Sequence, residues 1–200
     1  MPPTHAASWA GPLQGVRVLD FTRVLAGPAA ALALADLGAE VLKVEPPGTG
    51  DETRLFPPYR EGTSHYFLSV NRGKKSIVLD LKTPEGVALA KSLAAKSDIL
   101  IENYRPGVME RLGLDYQALS AANPRLIYCS ITGFGLDGPL RDRPVRGLEL
   151  QRLAIGPERL FRLVRRLELA RSRDVHLRRR HHRALEGDAA IVARRSRELP

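Results

Sequence analysis

Cysteine is almost absent from this chain, with one residue, Cys129, among 200. A single thiol cannot form an internal disulfide, so the sequence excludes a disulfide-stabilised secreted fold. Cys129 lies in the apolar run LIYCSI, and no candidate base stands near it. We therefore predict a buried structural thiol rather than a nucleophile.

Long hydrophobic runs are also missing. No apolar stretch approaches the roughly 18 residues that a membrane-spanning helix needs. The first residues, MPPTHAASWAGPLQG, lack the basic start and apolar core of a signal peptide. The sequence therefore predicts a cytoplasmic protein with no membrane partner. The hydrophobic content of 44% is ordinary for a globular domain.

Lysine and tyrosine are absent from residues 146–200. The 15 basic residues of that segment are all arginine, against 7 acidic residues. Residues 1–145 are nearly balanced, with 16 basic and 15 acidic residues. We therefore divide the chain into a domain at 11–145 and an arginine-rich tail at 146–200, which is expected to be helical or disordered.

Two common nucleotide-binding motifs are missing as well. No G-x-G-x-x-G follows the first predicted strand, and no G-x-x-x-x-G-K-[ST] occurs anywhere. Neither dinucleotide nor P-loop nucleotide binding is therefore supported. His5 and His65 have no metal-ligand spacing to cysteine or carboxylate residues, so no metal site is predicted.

What is present is a regular alternation of apolar runs and helical patterns. Strands are predicted at 16–21, 39–45, 76–81, 98–103 and 125–131. Helices are predicted at 27–38, 83–98 and 115–124, the second opening with Thr83 as N-cap and Pro84 behind it. Near-continuous apolar strands separated by helices predict an α/β fold with a parallel, doubly wound sheet.

Polar residues stand where several of these strands end, namely Asp20, Glu45, Asn103 and the segment 132–135. Ligands of open α/β sheets bind at the carboxyl ends of the strands. The functional site is therefore expected at that edge of the sheet.

Five stretches of the chain, in order, resemble the N-terminal part of the family III CoA-transferases, the CaiB/BaiF group. They are GVRVLDFTRVLAGP, GAEVLKVEPPGTGDETR, NRGKKSIVLDLKTPEG, DILIENYRPGVMERLGLDY and NPRLIYCSITGFGLDGP. The resemblance covers 11–145 and implies a Rossmann-like large domain, incomplete here, that binds CoA. It also implies an interlocked homodimer, with acyl-CoA and carboxylic acids as substrates.

The resemblance also implies which residues line the CoA site. The positions of this chain that match the CoA-binding positions of the family are Leu25, Ala26, Leu79, Asp80, Leu81, Lys82, Asn103, Tyr104, Arg105 and Arg111. The phosphates of CoA need cations and free N–H groups, which the lysine and the arginines of this set supply. The chain departs from the family pattern at Leu25, where a related enzyme has glutamine, and at Pro46, where it has a phosphate-binding arginine.

The family implies a reaction through an aspartate nucleophile and an aspartyl-CoA thioester. Asp174 stands at about the expected distance after the glycine-rich loop, but no glycines flank it as the pattern requires. No catalytic residue is therefore assigned, and the chain as written is expected to lack the nucleophile. The racemase branch of the family remains an alternative function, although its His-Asp pair is also missing after Pro144.

The tail at 146–200 leaves three interpretations open. An off-frame reading of GC-rich DNA would give many arginines without lysine, in place of the true second half. A genuine basic amphipathic helix, with apolar positions such as Leu160 and Leu167, would make the chain a non-catalytic basic binding protein. Nucleic acid is an unfavoured partner because Phe161 is the tail's only aromatic residue. The chain could also be a truncated paralogue kept for another use.

Overall fold

The structure, a computed structural model, describes residues 11–136, 138–143 and 190–194. Six of its strands form one sheet in the order β5-β2-β1-β6-β7-β8. The strands are β1 (Arg17–Asp20), β2 (Glu40–Glu45), β3 (Tyr59–Arg60), β4 (Thr63–Ser64), β5 (Lys75–Val78), β6 (Ile99–Glu102), β7 (Ile127–Thr132) and β8 (Ala190–Arg194). The first five strands of the order run parallel, as predicted, and β8 pairs antiparallel with β7.

Within the described residues, five helices connect the strands. They are α1 (Ala26–Asp36), α2 (His65–Asn71), α3 (Pro84–Ala95), α4 (Val108–Arg111) and α5 (Tyr116–Ala122), with a 3-10 turn at Glu52–Leu55. Thr83 caps α3 through its hydroxyl, which accepts the Gly86 N–H at 3.1 Å, as its sequence position predicted. Asp115 caps α5 in the same way through the N–H groups of Gln117 and Ala118.

The eight predicted strands and helices are confirmed, with ends that differ by at most three residues. Sequence patterns missed α2 and α4, which are shorter than the window of roughly 11 residues that reveals a helical pattern, and the short strands β3 and β4. They also missed β8, which places residues 190–194 of the tail in the sheet. The amphipathic positions proposed for a tail helix lie outside the described residues.

Two apolar layers cover the two faces of the sheet. Small residues of α1, including Ala30 and Ala31, pack on one face against Val18, Val41 and Ile101. Residues of α3 and α5 pack on the other face, where Leu19, Leu100 and Tyr128 point. Because both faces are covered, the strands read as apolar runs without alternation.

Cys129 lies within the first of these layers, and its side chain is fully buried. Burial raises the pKa of its thiol to about 12, so the group is neutral and unreactive at physiological pH. The prediction of a structural thiol is confirmed.

The chain reverses direction across the sheet between β1 and β6. From β1 it builds outward to β2 and β5, and then returns to form β6 on the other side of β1. In open α/β sheets the crevice at this switch point is the usual place for a ligand. No helix in the described part of the chain is long and apolar enough to cross a membrane.

Leu100 provides a direct test of this packing. It lies in β6 near the middle of the sheet, and its side chain is fully buried. We expect Leu100→Ala to lower the free energy of unfolding by about 2–5 kcal/mol, because the cavity adds to the lost burial. Urea denaturation measures the change. Leu55→Ala, at a residue that is 61% exposed, is the matched control and should shift stability by less than about 0.5 kcal/mol; equal effects would contradict the assigned core.

Candidate functional site

One asparagine joins the two loops that flank the crevice between β1 and β6. The Oδ1 of Asn103 accepts the Arg23 N–H at 2.9 Å, and its Nδ2 donates to the Arg23 carbonyl at 2.9 Å. This pair of hydrogen bonds ties the loop after β6 to the loop after β1. Asn103 was predicted to line the site, and here its amide fixes the shape of the crevice.

Arg23 extends this contact with its side chain. Its guanidinium lies 5.0 Å from the centre of the Tyr104 ring and donates a 3.2 Å hydrogen bond to the Tyr104 hydroxyl. An arginine over an aromatic face gains cation–π energy as well as a hydrogen bond. Both residues are half-buried, so they form part of the wall of the crevice.

A buried ion pair lies beneath the neighbouring loops. Lys43 of β2 places its Nζ 2.8 Å from Asp51 Oδ2, and each side chain is only 1% exposed. The same ammonium donates to the Thr22 carbonyl at 2.7 Å. Burial raises the pKa of Asp51, but the Lys43 charge and the hydrogen bonds from Lys43 and Thr53 together outweigh it, so the pKa is lowered overall. One lysine therefore holds both the loop after β1 and the loop after β2.

Glu45 anchors the same loop from the end of β2. Arg54 makes two hydrogen bonds with its carboxylate, at 2.7 and 2.6 Å, and Ser76 makes a third at 2.6 Å. Burial alone would raise the pKa of Glu45, but these bonds lower it to about 2. The Arg54 guanidinium also lies 3.8 Å from the centre of the Phe67 ring, so α2 is joined to this cluster.

A second buried pair supports the start of α1. The Lys74 Nζ donates to Asp20 Oδ2 at 3.0 Å, to the Pro28 carbonyl at 2.9 Å and to Asn71 Oδ1 at 2.9 Å. An ammonium has three protons, so all of them are used. Burial lowers the pKa of Lys74 in spite of the Asp20 charge. The predicted strand-end residue Asp20 is therefore a structural anchor.

The ten residues predicted to bind CoA differ in how far their side chains are exposed to solvent. The exposed ones are Lys82, Arg105 and Arg111. The partly exposed ones are Leu25, Asp80, Leu81, Asn103 and Tyr104. The buried ones are Ala26 and Leu79, which belong to the two apolar layers. The residues follow the carboxyl ends of β1, β5 and β6, or lie on the short helix after β6, so the fold brings their segments to one edge.

Local contacts shape two of these segments. The Asp80 carboxylate accepts the Lys82 N–H at 2.9 Å, which closes a turn and leaves the Lys82 side chain outside. Gly107 has a positive φ of 82° at the start of α4, and a Cβ built there would lie 3.4 Å from the Arg111 guanidinium. The Arg111 guanidinium therefore lies beside Gly107, in the loop between β6 and α4.

A separate cleft of about 410 Å³ opens beyond β6, between α4, α5 and the loop after β7. Glu102, Tyr128 and Ser130 form its floor and are at most 5% exposed. Burial is the main cause that raises the pKa of Glu102, although the Tyr104 N–H donates to its Oε2 at 2.8 Å. Near the cleft, Thr132 accepts the Gly135 N–H at 3.0 Å and shapes the glycine-rich loop.

Sequence reasoning named Asp20 and Glu45 at the strand ends but missed the buried lysines Lys43 and Lys74 and the loop residue Asp51. Lys43 and Glu45 alternate with apolar residues in the strand sequence EVLKVE. A charge inside a strand that is buried on both faces requires a partner, and this signal would have pointed to Lys43. Its partner Asp51 lies in a loop, and no pattern predicted that contact. Within the described residues no cluster of three or more His, Cys, Asp or Glu could hold a metal ion, and the absence of a metal stays a prediction.

Comparisons with known proteins agree on one family. A family model described as CoA-transferase family III matches residues 13–156. Succinyl-CoA:glutarate CoA-transferase from Mus musculus is 56% identical over 133 residues, which are 66% of this chain and 30% of that protein. Acetyl-CoA:oxalate CoA-transferase from Acetobacter aceti is 51% identical over 144 residues, 72% of this chain and 37% of that protein.

A solved structure gives the same result for the fold. The crystal structure of a CAIB/BAIF family protein from Brucella suis superposes with a TM-score of 0.67 at 45% identity, covering 73% of this chain and 40% of that one. The chain thus spans about a third of the length of the two curated relatives.

Because Glu45 is ionised and hydrogen-bonded in the folded state, we expect the protein to lose stability in acid. Because its folded pKa is about 2, against an ordinary 4.5, its contribution to stability is complete above pH 4.5 and is lost as the pH falls toward 2. We expect Glu45→Gln to be less stable than the unmodified chain at pH 7, and its stability to fall less steeply below pH 4.5. Urea denaturation at pH 7, 4.5 and 3 measures both effects. Glu61→Gln, at a side chain that is 89% exposed, should keep the unmodified pH slope, and an equally steep slope in Glu45→Gln would contradict the anchor.

Proposed function

Because this chain belongs to CoA-transferase family III, we propose that it forms the CoA-binding part of an enzyme that moves CoA between carboxylic acids. The observation that carries this proposal is the identity of 51–56% to two named CoA-transferases over 133 and 144 residues. The family model covers residues 13–156, which include the loops at the carboxyl edge of the sheet. Acyl-CoA and a free carboxylic acid are then the substrates.

The charges at this edge support CoA as the ligand. CoA carries a pyrophosphate and a ribose 3′-phosphate, which favour arginine and lysine. Lys43 and Lys74 are buried and already paired with carboxylates. The exposed cations Lys82, Arg105 and Arg111 are therefore the residues we assign to the phosphates, with Leu25 and Tyr104 beside the pantetheine arm.

The proposed chemistry is a double displacement at an aspartate. Its carboxylate attacks the thioester carbonyl, the C–S bond breaks, and a mixed anhydride and CoA thiolate form. The thiolate then attacks the aspartyl carbonyl, which releases the donor acid and gives an aspartyl-CoA thioester. The acceptor carboxylate repeats these two steps in reverse, so the acceptor leaves as its CoA thioester and the aspartate is regenerated.

No residue in the described part of the chain is assigned as this aspartate, and Asp174 lies outside it. Because Asp174 also lacks the flanking glycines of the family pattern, we propose that the chain as written binds CoA without completing transfer. The interlocked homodimer, the cytoplasmic location and the off-frame origin of the tail also stay predictions. The racemase and the basic binding protein stay alternatives that no observation favours.

Short dicarboxylic acids are the substrate class that we propose for the whole enzyme. The names of two relatives pair CoA with succinate and glutarate, and with acetate and oxalate. Three of those four acids carry two carboxylates. An enzyme that takes one of them must bind a second, unreacting carboxylate as well as the reacting one.

CoA binding by the full chain tests the proposed site. We expect saturable binding of CoA by isothermal titration calorimetry. Lys82→Ala and Arg111→Ala should each weaken binding by about tenfold, since a hydrogen bond to a charged group contributes about 1.5–3 kcal/mol. The affinity should fall as salt is raised, because the contacts are ionic and exposed.

Arg125→Ala is the matched control. Arg125 is also exposed, but it precedes β7 and so lies at the opposite edge of the sheet. Its substitution should leave CoA affinity unchanged. Equal losses in Arg125→Ala and Lys82→Ala would mean that only net charge matters, and would contradict the assigned site.

A further inference from the structure

Arg23 is a half-buried cation for which the described residues provide no carboxylate partner. A guanidinium has five N–H donors, and one Nη atom of Arg23 donates to the Tyr104 hydroxyl at 3.2 Å. Among the residues that the structure describes, its side chain makes no further hydrogen bond and no ion pair. Withdrawing a charge from water without a counter-charge costs free energy. A half-buried arginine with most of its donors unused therefore favours an anionic ligand.

The buried carboxylates of the same edge are engaged with other cations. Asp51 Oδ1 accepts the Val24 N–H at 3.3 Å, so this carboxylate lies close to the backbone next to Arg23. Its second oxygen, however, is 2.8 Å from the Lys43 Nζ. Asp20 pairs with Lys74 in the same way, at 3.0 Å. The anion for Arg23 therefore has to come from a ligand.

The backbone around Arg23 is held in one conformation. Asn103 binds both the N–H and the carbonyl of Arg23, and the next residue, Val24, has a positive φ of 67°. A β-branched residue is rare in this left-handed region, and it stays there only where surrounding contacts enforce it. The guanidinium is also held, because it lies 5.0 Å from the centre of the Tyr104 ring. Arg23 is therefore preorganised, and a ligand that binds it orders little of the protein.

The start of α1 adds positive potential beside Arg23. This helix of 11 residues begins at Ala26, with no acidic residue in its first turn and no side chain that caps it. The unpaired N–H groups at the start of a helix carry a partial positive charge. Because α1 follows the carboxyl end of β1, this helix end and Arg23 lie at the same edge of the sheet and favour the same sign of ligand charge.

The place of Arg23 along the ligand indicates which anion it meets. This step rests on the function proposed above, in which three exposed cations bind the phosphates of CoA, and Leu25 and Tyr104 lie beside the pantetheine arm. Arg23 is two residues from Leu25 in the sequence and contacts Tyr104 directly. The pantetheine arm ends in the sulfur that carries the acyl group. An anion beside this end of the arm therefore belongs to the acyl group and not to a phosphate.

We propose that Arg23 binds the free carboxylate of a dicarboxylic acyl group, the one that does not react. The planar fork of a guanidinium matches the two oxygens of a carboxylate, and the Tyr104 hydroxyl keeps the fork in place. Arg23 thus distinguishes acyl groups that carry a second negative charge from those that do not. It recognises the charge that short dicarboxylic acids share, and not the length of the acid.

Two stable CoA thioethers test this assignment on the purified full chain. S-(3-carboxypropyl)-CoA is succinyl-CoA with a CH2 group in place of the thioester carbonyl, so it keeps the free carboxylate and cannot react. S-(3-carbamoylpropyl)-CoA has the same shape but ends in a neutral amide. Isothermal titration calorimetry at pH 7 gives the dissociation constants of both thioethers and of CoA. We expect the carboxylate to bind at least about tenfold more tightly than the amide, the scale of a hydrogen bond between charged groups.

Variants of Arg23 connect this preference to its side chain. The hydrogen bonds with Asn103 use only the backbone of Arg23, so a substitution keeps them. Arg23→Gln removes the charge and should bring the two thioethers to within about twofold of each other. Arg23→Lys keeps the charge without the fork, and should give a preference between that of Arg23→Gln and that of the unmodified chain. It keeps the test valid where Arg23→Gln fails to fold.

Two further variants serve as controls. Lys82→Ala removes a cation assigned to the phosphates, so it should weaken both thioethers and CoA by the same factor and leave the preference for the carboxylate unchanged. Arg125→Ala, at the opposite edge of the sheet, should bind all three ligands like the unmodified chain.

The outcomes separate this proposal from the function on which it rests. Saturable CoA binding with equal affinity for the two thioethers would overturn the role of Arg23 alone. A preference for the carboxylate that survives in Arg23→Gln would place that carboxylate elsewhere. An equal loss for CoA and both thioethers in Arg23→Gln would make Arg23 a phosphate contact, which also contradicts the proposal. The absence of saturable binding of all three ligands would overturn the CoA site itself, and this assignment with it.

Discussion

The carboxyl edge of the sheet depends on four charges that are buried as two pairs. Lys43 with Asp51 and Lys74 with Asp20 are at most 2% exposed. Removing one partner of such a pair costs about 3–5 kcal/mol, because it leaves an uncompensated charge. The loops that carry the partners are therefore held at the strand ends. Because Lys43 also binds the Thr22 carbonyl, one ammonium sets the position of two loops relative to each other.

This arrangement separates two kinds of surface along the same edge. On the β1 and β2 side, the buried charges are paired with one another, and Lys82 and Arg111 are exposed cations. On the β6 and β7 side, burial raises the pKa of Glu102, although Ser130 and the Tyr104 N–H form hydrogen bonds with its carboxylate. The first surface suits an anion that approaches from solvent, and the second does not, because its buried carboxylate disfavours further negative charge.

The sequence could predict the sheet because both of its faces are covered. Burial on two sides makes each strand an apolar run, and the helices between them are long enough to show caps such as Thr83. Short elements such as α2, with only about two helical turns, give too weak a pattern to be recognised, and contacts such as Arg54 on the Phe67 ring help to hold them. The site was predicted as a set of loop segments through family resemblance. The role of each residue in the site could not be predicted in this way. Whether Leu79, Asn103 or Lys82 can contact a ligand depends on its burial and its hydrogen-bond partners, which are properties of the folded chain.

The comparisons also suggest how recognition is divided within the family. Two relatives whose names give different acids, glutarate and oxalate, are both more than 50% identical to this chain, over 133 and 144 residues. The reactions that these two names describe use different acids but share CoA. A segment that is similar in both relatives is therefore better suited to binding CoA than to selecting the acid. The anchored loops fit that role, because a fixed edge binds an unchanging ligand with little loss of conformational entropy, and Lys82 and Arg111 are the residues proposed to bind CoA there. We infer that selection of the acid depends mainly on residues outside this segment, so that the CoA-binding edge stays constant while the acceptor pocket varies.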